Sequence, residues 1–150
     1  MSDSSWLPEA AALKKAGPKR ILFLCVQNSA RSQMAEGIAR SMGPTGVEIY
    51  SAGESPTFVR TQAIEALSEI GIDISGQTSK SVDDIDTPID AVITLCAEGV
   101  CPVWMDTPLR IHWALEDPVL AEQSEEERME AFREVRDELV IRMEFVFGSD

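Results

Sequence analysis

The chain has 150 residues, of which 44% are hydrophobic and 26% are charged, a composition typical of a folded soluble domain rather than a disordered chain. Its formal net charge of −13 disfavours binding to nucleic acid or to an anionic membrane. Three cysteines do not suit a secreted disulfide scaffold, no apolar run is long enough to span a membrane, and the N-terminus lacks a signal-peptide pattern. We therefore expect a cytoplasmic protein.

The hydrophobic pattern predicts strands that alternate with helices. Residues 1–18 are an Ala-rich N-terminal extension, which we interpret as an appendage to a single domain over residues 19–150. Residues 20–24 are almost entirely apolar, as in a strand that is covered on both faces. The remaining predicted elements are a helix at 32–42, a strand at 47–51, a helix at 60–70, strands at 91–95 and 110–113, and a long helix after Ser124.

The long C-terminal helix has a clear start signal. Ser124 and Glu127 have the spacing of a capping box, in which each side chain binds the backbone N–H of the other residue. Strands that alternate with helices favour a parallel sheet. We therefore predict an α/β three-layer sandwich in which a four-stranded parallel sheet is flanked by helices.

A candidate anion-binding loop lies between the first strand and the first helix of this domain. Cys25, Arg31 and Ser32 have the spacing C-x5-R-S, at the position where open α/β sheets bind ligands. Such a loop can wrap a tetrahedral oxyanion with its backbone N–H groups, while a helix N-terminus adds positive potential. The predicted oxyanion-binding residues are Val26, Gln27, Asn28, Ser29, Ala30 and Arg31.

Within this loop, the side chains have distinct predicted roles. The planar guanidinium of Arg31 can hold two oxygens of the anion. The positive potential favours the thiolate form of Cys25, and Ser32 can donate a hydrogen bond to that sulfur. The spacing alone also fits a buried cysteine followed by a helix that happens to carry an arginine. No glycine-rich nucleotide-binding motif is present, which excludes a nucleotide P-loop.

The sequence of this loop resembles a known family. Residues 25–37 read C-V-Q-N-S-A-R-S-Q-M-A-E-G, which is similar to the signature of arsenate reductases that share the fold of low-molecular-weight tyrosine phosphatases. The similarity covers residues 20 to about 147. It recurs in Y-S-A-G at 50–53, G-I-D-I-S at 71–75, V-I-T-L-C at 92–96, H-W at 112–113 and E-D-P at 116–118. The resemblance implies a phosphatase-like fold and a thiol-dependent, thioredoxin-coupled reduction of arsenate.

The resemblance also implies a sequence of thiol steps. Cys25 attacks arsenate, for which phosphate and sulfate are analogues, and Asp117 acts as general acid or base. Cys96 then attacks Cys25, arsenite leaves, and a disulfide remains. Cys101 next attacks Cys96, and an external reductant, thioredoxin or glutaredoxin with glutathione, clears the final disulfide. Only four residues separate Cys96 from Cys101, fewer than in some thioredoxin-coupled members, so the reductant stays open.

Two positions depart from the family pattern. Gln27 stands where the phosphatases and many reductases have glycine. Some members have a potassium site whose ligands match Asn28, Glu36 and Ser51, but Lys80 stands at the position of its aspartate. An ammonium group can take the place of the cation, so we expect no potassium requirement. We expect no bound metal of any kind, no cofactor and a monomeric protein.

Two other functions stay open. A tyrosine phosphatase of the same fold needs the loop and Asp117 but neither Cys96 nor Cys101. Val119 and Leu120 stand where those phosphatases commonly carry tyrosine, which argues weakly against this function. A non-enzymatic protein that binds an oxyanion or arsenite through its thiols would leave Arg31 and Asp117 without a role.

Overall fold

A computed structural model describes residues 5–43, 46–96, 107–119 and 123–148. Cys101 and Leu120 lie outside the described residues. In chain order the elements are α1 (Leu7–Ala16), β1 (Arg20–Cys25), α2 (Arg31–Met42), β2 (Glu48–Gly53), α3 (Thr61–Ser68), a 3-10 helix (Val82–Asp84), β3 (Ala91–Cys96), β4 (Leu109–Leu115) and α4 (Glu125–Phe147).

The predicted four-stranded parallel sheet is confirmed. Its strand order is β2-β1-β3-β4, and every pairing of neighbouring strands is parallel. The carboxyl ends of the strands therefore lie at one edge of the sheet, where β1 ends at Cys25 and β3 ends at Cys96. This arrangement gives the α/β class that the alternating pattern predicts.

The two faces of the sheet are covered differently. Alternate residues of β1 point to opposite faces, with Phe23 in the larger hydrophobic cluster and Leu24 in the smaller one. Buried residues of all four α-helices belong to the larger cluster. Within the described residues, the smaller cluster is completed by the segment around the 3-10 helix, including Val82 and Ile85.

Most element boundaries agree with the sequence pattern, and the capping box is confirmed. The Ser124 hydroxyl accepts from the N–H of Glu127, whose carboxylate accepts from the N–H of Ser124. β2 reaches Gly53 and β4 reaches Leu115, two residues further than predicted in each case. α3 ends at Ser68, two residues before the predicted end.

The N-terminal extension forms a packed helix. Ala10 and Leu13 of α1 are fully buried in the larger hydrophobic cluster. Trp6, just before the helix, packs edge-on against Trp113 of β4 and Phe145 of α4. The described part of this extension is therefore attached to the core through Trp6, Ala10 and Leu13. None of the described helices is long and apolar enough to cross a membrane.

Candidate active site

The predicted anion loop surrounds a cavity at the carboxyl edge of the sheet. The cavity has a volume of about 300 Å³. It is lined by Cys25, Arg31 and Asp117 together with the loop residues Val26, Gln27, Ser29 and Ala30. The fold thus brings the predicted nucleophile, the predicted anion-binding arginine and the predicted acid to one small space.

The N-terminus of α2 points its first backbone N–H groups towards this loop. Ala30 is the N-cap residue and has no side chain that can accept a hydrogen bond from the first turn. The first turn also carries no acidic residue. A helix start that lacks its own capping group suits a bound anion, which would accept from these N–H groups and interact favourably with the helix dipole.

The Cys25 thiol lies in a network of polar side chains. Its Sγ is 2.8 Å from the Ser32 hydroxyl, which is the contact that the spacing predicts. The Asn28 amide donates to the Ser32 hydroxyl at 2.7 Å and to the Ser51 hydroxyl at 3.0 Å. Since Asn28 directs its amide to Ser32, the hydroxyl hydrogen of Ser32 is left to point at sulfur. This orientation provides a hydrogen-bond donor to the sulfur that the proposed nucleophile uses.

Asn28 shapes the loop rather than lining the cavity. It is fully buried, has a φ of +49°, and its side-chain Oδ1 accepts from the Lys80 backbone N–H at 2.7 Å. Asparagine tolerates this left-handed conformation better than most residues. Gln27 has no positive φ, so the loop does not require a glycine there. The substitution of glycine by glutamine is therefore compatible with the same loop geometry.

Arg31 is held by the backbone at the ends of two neighbouring strands. Its Nη1 donates to the carbonyl oxygen of Leu115 at 3.0 Å and lies 3.5 Å from that of Leu95. The side chain is only 5% exposed, and its Nη2 lies 4.0 Å from Oδ2 of Asp117. Sequence reasoning missed both carbonyl groups because every residue type has a backbone carbonyl. A fixed guanidinium needs little reordering to hold an anion.

Asp117 follows β4 in a short turn over the cavity. Its Oδ1 accepts from the Val119 N–H at 2.9 Å, and its side chain is 42% exposed. One carboxylate oxygen therefore fixes the turn, while the other lies on the side of Arg31. A carboxyl group in this position can exchange a proton with an oxygen of an anion in the cavity.

Gly53 allows β2 to end directly beneath the anion loop. A Cβ atom at this position would lie 2.6 Å from the Val26 carbonyl oxygen and 2.7 Å from the Asn28 nitrogen. Backbone atoms of the loop cannot rotate away as a flexible side chain does. Gly53 is a site residue that the sequence pattern did not single out.

Replacing Gly53 with alanine is expected to deform the loop. We expect a loss of about 1–3 kcal/mol in the free energy of unfolding, the usual effect of forcing an extra methyl group into a packed site, together with weaker phosphate binding. Gly76→Ala is the matched control because its Cβ would meet no atom within 4 Å. Both variants are tested by thermal unfolding and by phosphate titration. A Kd for phosphate in Gly53→Ala equal to that of the unaltered protein would contradict the expected deformation of the loop.

A lysine occupies the polar cluster behind the loop. The Glu36 carboxylate is only 3% exposed and accepts from the Ser51 hydroxyl. It pairs with Arg40 at 2.9 Å and with the Lys80 ammonium at 3.6 Å. The Lys80 ammonium also donates to the Thr78 carbonyl at 2.6 Å. The buried carboxylate therefore has positive partners within the chain.

The second predicted cysteine lies beside the anion site. Cys96 is 1% exposed, ends β3, and directly follows Leu95, whose carbonyl faces Arg31. The ladder pairs Leu24 with Thr94, so Cys25 and Cys96 leave neighbouring strands at the same edge. His112 is exposed on β4, with Nδ1 2.5 Å from the Thr94 hydroxyl, and does not line the cavity.

The parallel sheet and the C-x5-R anion loop define a phosphatase-like class of protein, and comparison with known proteins leads to the same class. Residues 20–145 match the family described as low molecular weight phosphotyrosine protein phosphatase, and the chain belongs to this family. This match and the arsenate reductases described next confirm the resemblance that the loop sequence indicates.

Individual relatives are more specific. The chain is 45% identical over 124 residues to an arsenate reductase of Halalkalibacterium halodurans, covering 81% of this chain and 89% of that protein. A solved arsenate reductase in the phosphate binding state is 39% identical, with a TM-score of 0.73 and coverage of 84% and 94%. A thioredoxin-dependent arsenate reductase of Corynebacterium glutamicum is 29% identical, with a TM-score of 0.55 and coverage of 90% and 68%.

Proposed function

We propose that this protein reduces arsenate to arsenite with its own thiols. The observation that carries the proposal is the placement of two buried cysteines, Cys25 and Cys96, at the ends of neighbouring strands beside one anion-binding cavity. The two relatives that are 45% and 39% identical to this chain are both named arsenate reductase, which supports the same function.

The first step is nucleophilic attack within the cavity. The Cys25 thiolate attacks arsenic, and an arsenate oxygen leaves as water after protonation, for which Asp117 is the acidic residue among those that line the cavity. A sulfur–arsenic bond forms and an arsenic–oxygen bond breaks, while arsenic remains pentavalent. Arg31 and the N–H groups of the loop hold the remaining oxygens and their negative charge.

Electrons are transferred in the second step. The Cys96 thiolate attacks Sγ of Cys25, a sulfur–sulfur bond forms, and the electron pair of the sulfur–arsenic bond goes to arsenic. Arsenic leaves as trivalent arsenite, so the two thiols have supplied two electrons. Cys101 then attacks Cys96 and releases the Cys25 thiolate. The resulting Cys96–Cys101 disulfide is reduced by an external dithiol such as thioredoxin.

The family contains phosphatases, and their chemistry uses the same loop. Hydrolysis of an aryl phosphate needs Cys25, Arg31 and Asp117, but neither of the other two thiols. A phosphatase would give no reason for a buried cysteine directly after Leu95, the residue whose carbonyl faces Arg31. Cys96 therefore favours the reductase.

The source of electrons tests the proposal. Arsenite formation should continue over many turnovers with thioredoxin, thioredoxin reductase and NADPH. A parallel assay with glutathione and glutaredoxin identifies which thiol system couples to the relay. Release of phosphate from an aryl phosphate, without arsenite formation under either condition, would instead support the phosphatase.

The Lys80–Glu36 contact predicts the response to potassium. Because the ammonium group already lies against the buried carboxylate, potassium should change neither the melting temperature nor the turnover rate relative to sodium at the same ionic strength. Lys80→Ala should lower the melting temperature, since among the described residues it leaves the buried Glu36 carboxylate with Arg40 as its remaining cationic partner. A melting temperature of the unaltered protein that rises with potassium but not with sodium would contradict this prediction.

A further inference from the structure

The outer edge of the sheet is anchored next to the active site by the N-terminal helix. Among the described residues β4 is an edge strand of the sheet, and one side of its backbone has no strand partner there. The His112 N–H on β4 donates to Oε2 of Glu9 in α1 at 3.1 Å. A carboxylate from the helix thus provides the acceptor that a fifth strand would provide.

This anchor lies where the ladder between β3 and β4 becomes irregular. Thr94 pairs with His112, and Cys96 pairs with Leu115. Between these two pairs β4 therefore advances by three residues while β3 advances by two. An extra residue of this kind bends a strand and redirects the groups that follow it. The redirected group here is the Leu115 carbonyl, which accepts from Arg31 at 3.0 Å.

A second contact fixes the residue inside the irregularity. The ring of Trp6 packs edge-on against that of Trp113, with centroids 6.4 Å apart and planes at 83°. The Arg142 guanidinium lies 5.4 Å from the Trp6 ring centroid and 5.6 Å from the Trp113 ring centroid. Aromatic and cation–π contacts of this kind restrict the ring orientation of Trp113. His112 and Trp113 are therefore both held by the N-terminal segment, just before Leu115.

We infer that Glu9 and Trp6 are positioning residues of the anion site. They hold β4 in the register that places the Leu115 carbonyl against Arg31 and starts the turn that carries Asp117. Both lie outside residues 20–145, the part of the chain that matches the family. The inference deepens the proposed function and rests on it for the identity of the oxyanion.

Inorganic phosphate is the probe for this role, because its binding requires the anion site but no thiol relay. Glu9→Ala removes the acceptor for His112 and should raise the Kd for phosphate about two- to tenfold, the size expected from loss of one hydrogen bond that fixes a contact of Arg31. Glu9→Gln keeps a side-chain oxygen that can accept and should bind phosphate nearly as the unaltered protein does. Trp6→Ala should weaken binding, and Trp6→Phe should restore most of it.

Two controls separate positioning from general stability. Glu134→Ala removes an equal charge from an exposed site on α4. Leu13→Ala loosens the opposite end of α1, near Val47 and Phe147, and should lower the melting temperature without changing the Kd. Titrations are made at a temperature where all variants are folded.

The positioning role of Glu9 and Trp6 and the proposed reduction of arsenate are tested by different outcomes. Weaker phosphate binding in Glu9→Ala and Trp6→Ala, but not in Glu9→Gln or Leu13→Ala, supports positioning. Unchanged Kd values in both alanine variants would overturn it, even if their melting temperatures fall. If the unaltered protein binds phosphate but forms no arsenite, the proposed function fails while the positioning role is still tested by the same titrations. No phosphate binding by the unaltered protein would overturn both.

Discussion

Replacing Cys25 with serine is expected to abolish arsenate reduction and any hydrolysis of an aryl phosphate. Both reactions begin with the same thiolate, and loss of a nucleophile commonly lowers kcat by roughly three orders of magnitude or more. The hydroxyl of a serine is a much weaker nucleophile at neutral pH, although Ser32 would still lie within reach of it. Arsenite and phosphate release are the two measurements.

Retained phosphate binding is the control for this variant. The loop N–H groups and Arg31, which is fixed by the carbonyls of Leu95 and Leu115, are unchanged by the substitution. Cys25→Ser should therefore bind phosphate and unfold near the melting temperature of the unaltered protein. Substantial arsenite formation by a folded Cys25→Ser variant would show that another group is the nucleophile.

Variants of the two relay cysteines should stop the reaction at different stages. In Cys96→Ser the thiol that displaces arsenite from Cys25 in the proposed relay is missing, so repeated turnover should stop. In Cys101→Ser the first disulfide can form, and up to one arsenite per chain should appear before the protein stalls as a Cys25–Cys96 disulfide. A small external thiol that attacks this disulfide would restore some turnover.

Aryl phosphate hydrolysis is the matched control for both relay variants. It uses water rather than a second thiol, so any such activity of the unaltered protein should survive in Cys96→Ser and in Cys101→Ser. Peptide mapping by mass spectrometry identifies the trapped disulfide. Repeated reduction of arsenate by both variants at the unaltered rate, with thioredoxin as donor, would show that the proposed relay is wrong.

The parts of this protein that could be predicted are those whose information is local. The apolar run before Cys25 and the C-x5-R spacing specify a strand, a turn and a helix within a few residues of one another. The capping box at Ser124 and Glu127 is likewise a local signal, and α4 begins where it predicts. The order of strands and helices followed from the same alternation and gave the correct fold.

Other parts depend on contacts between distant residues. Glu9 and His112 are 103 residues apart, and no local pattern indicates that a carboxylate on α1 accepts from β4. The Leu115 carbonyl that holds Arg31 has no residue-type signal. Gly53 gives a similar case, because its importance comes from the nearby backbone of the anion loop and not from its own strand.

Helix α1 shows why the sequence of the N-terminal extension does not predict how it packs. Its sequence is short and Ala-rich, and its first turn contains Pro8, so composition alone does not distinguish a packed helix from a loose lead. Burial of Ala10 and Leu13 arises from the larger hydrophobic cluster, which the rest of the chain supplies. Tertiary packing, more than helix propensity, stabilises a helix of this length.

The most direct test of the account is a single turnover of the unaltered protein. Fully reduced protein is mixed with arsenate in the absence of any external thiol, arsenite is quantified, and the disulfides are mapped by mass spectrometry. The account predicts up to one arsenite per chain, with formation of a Cys96–Cys101 disulfide and a reduced Cys25. Absence of arsenite, with all three thiols still reduced after arsenate has been supplied, would contradict it.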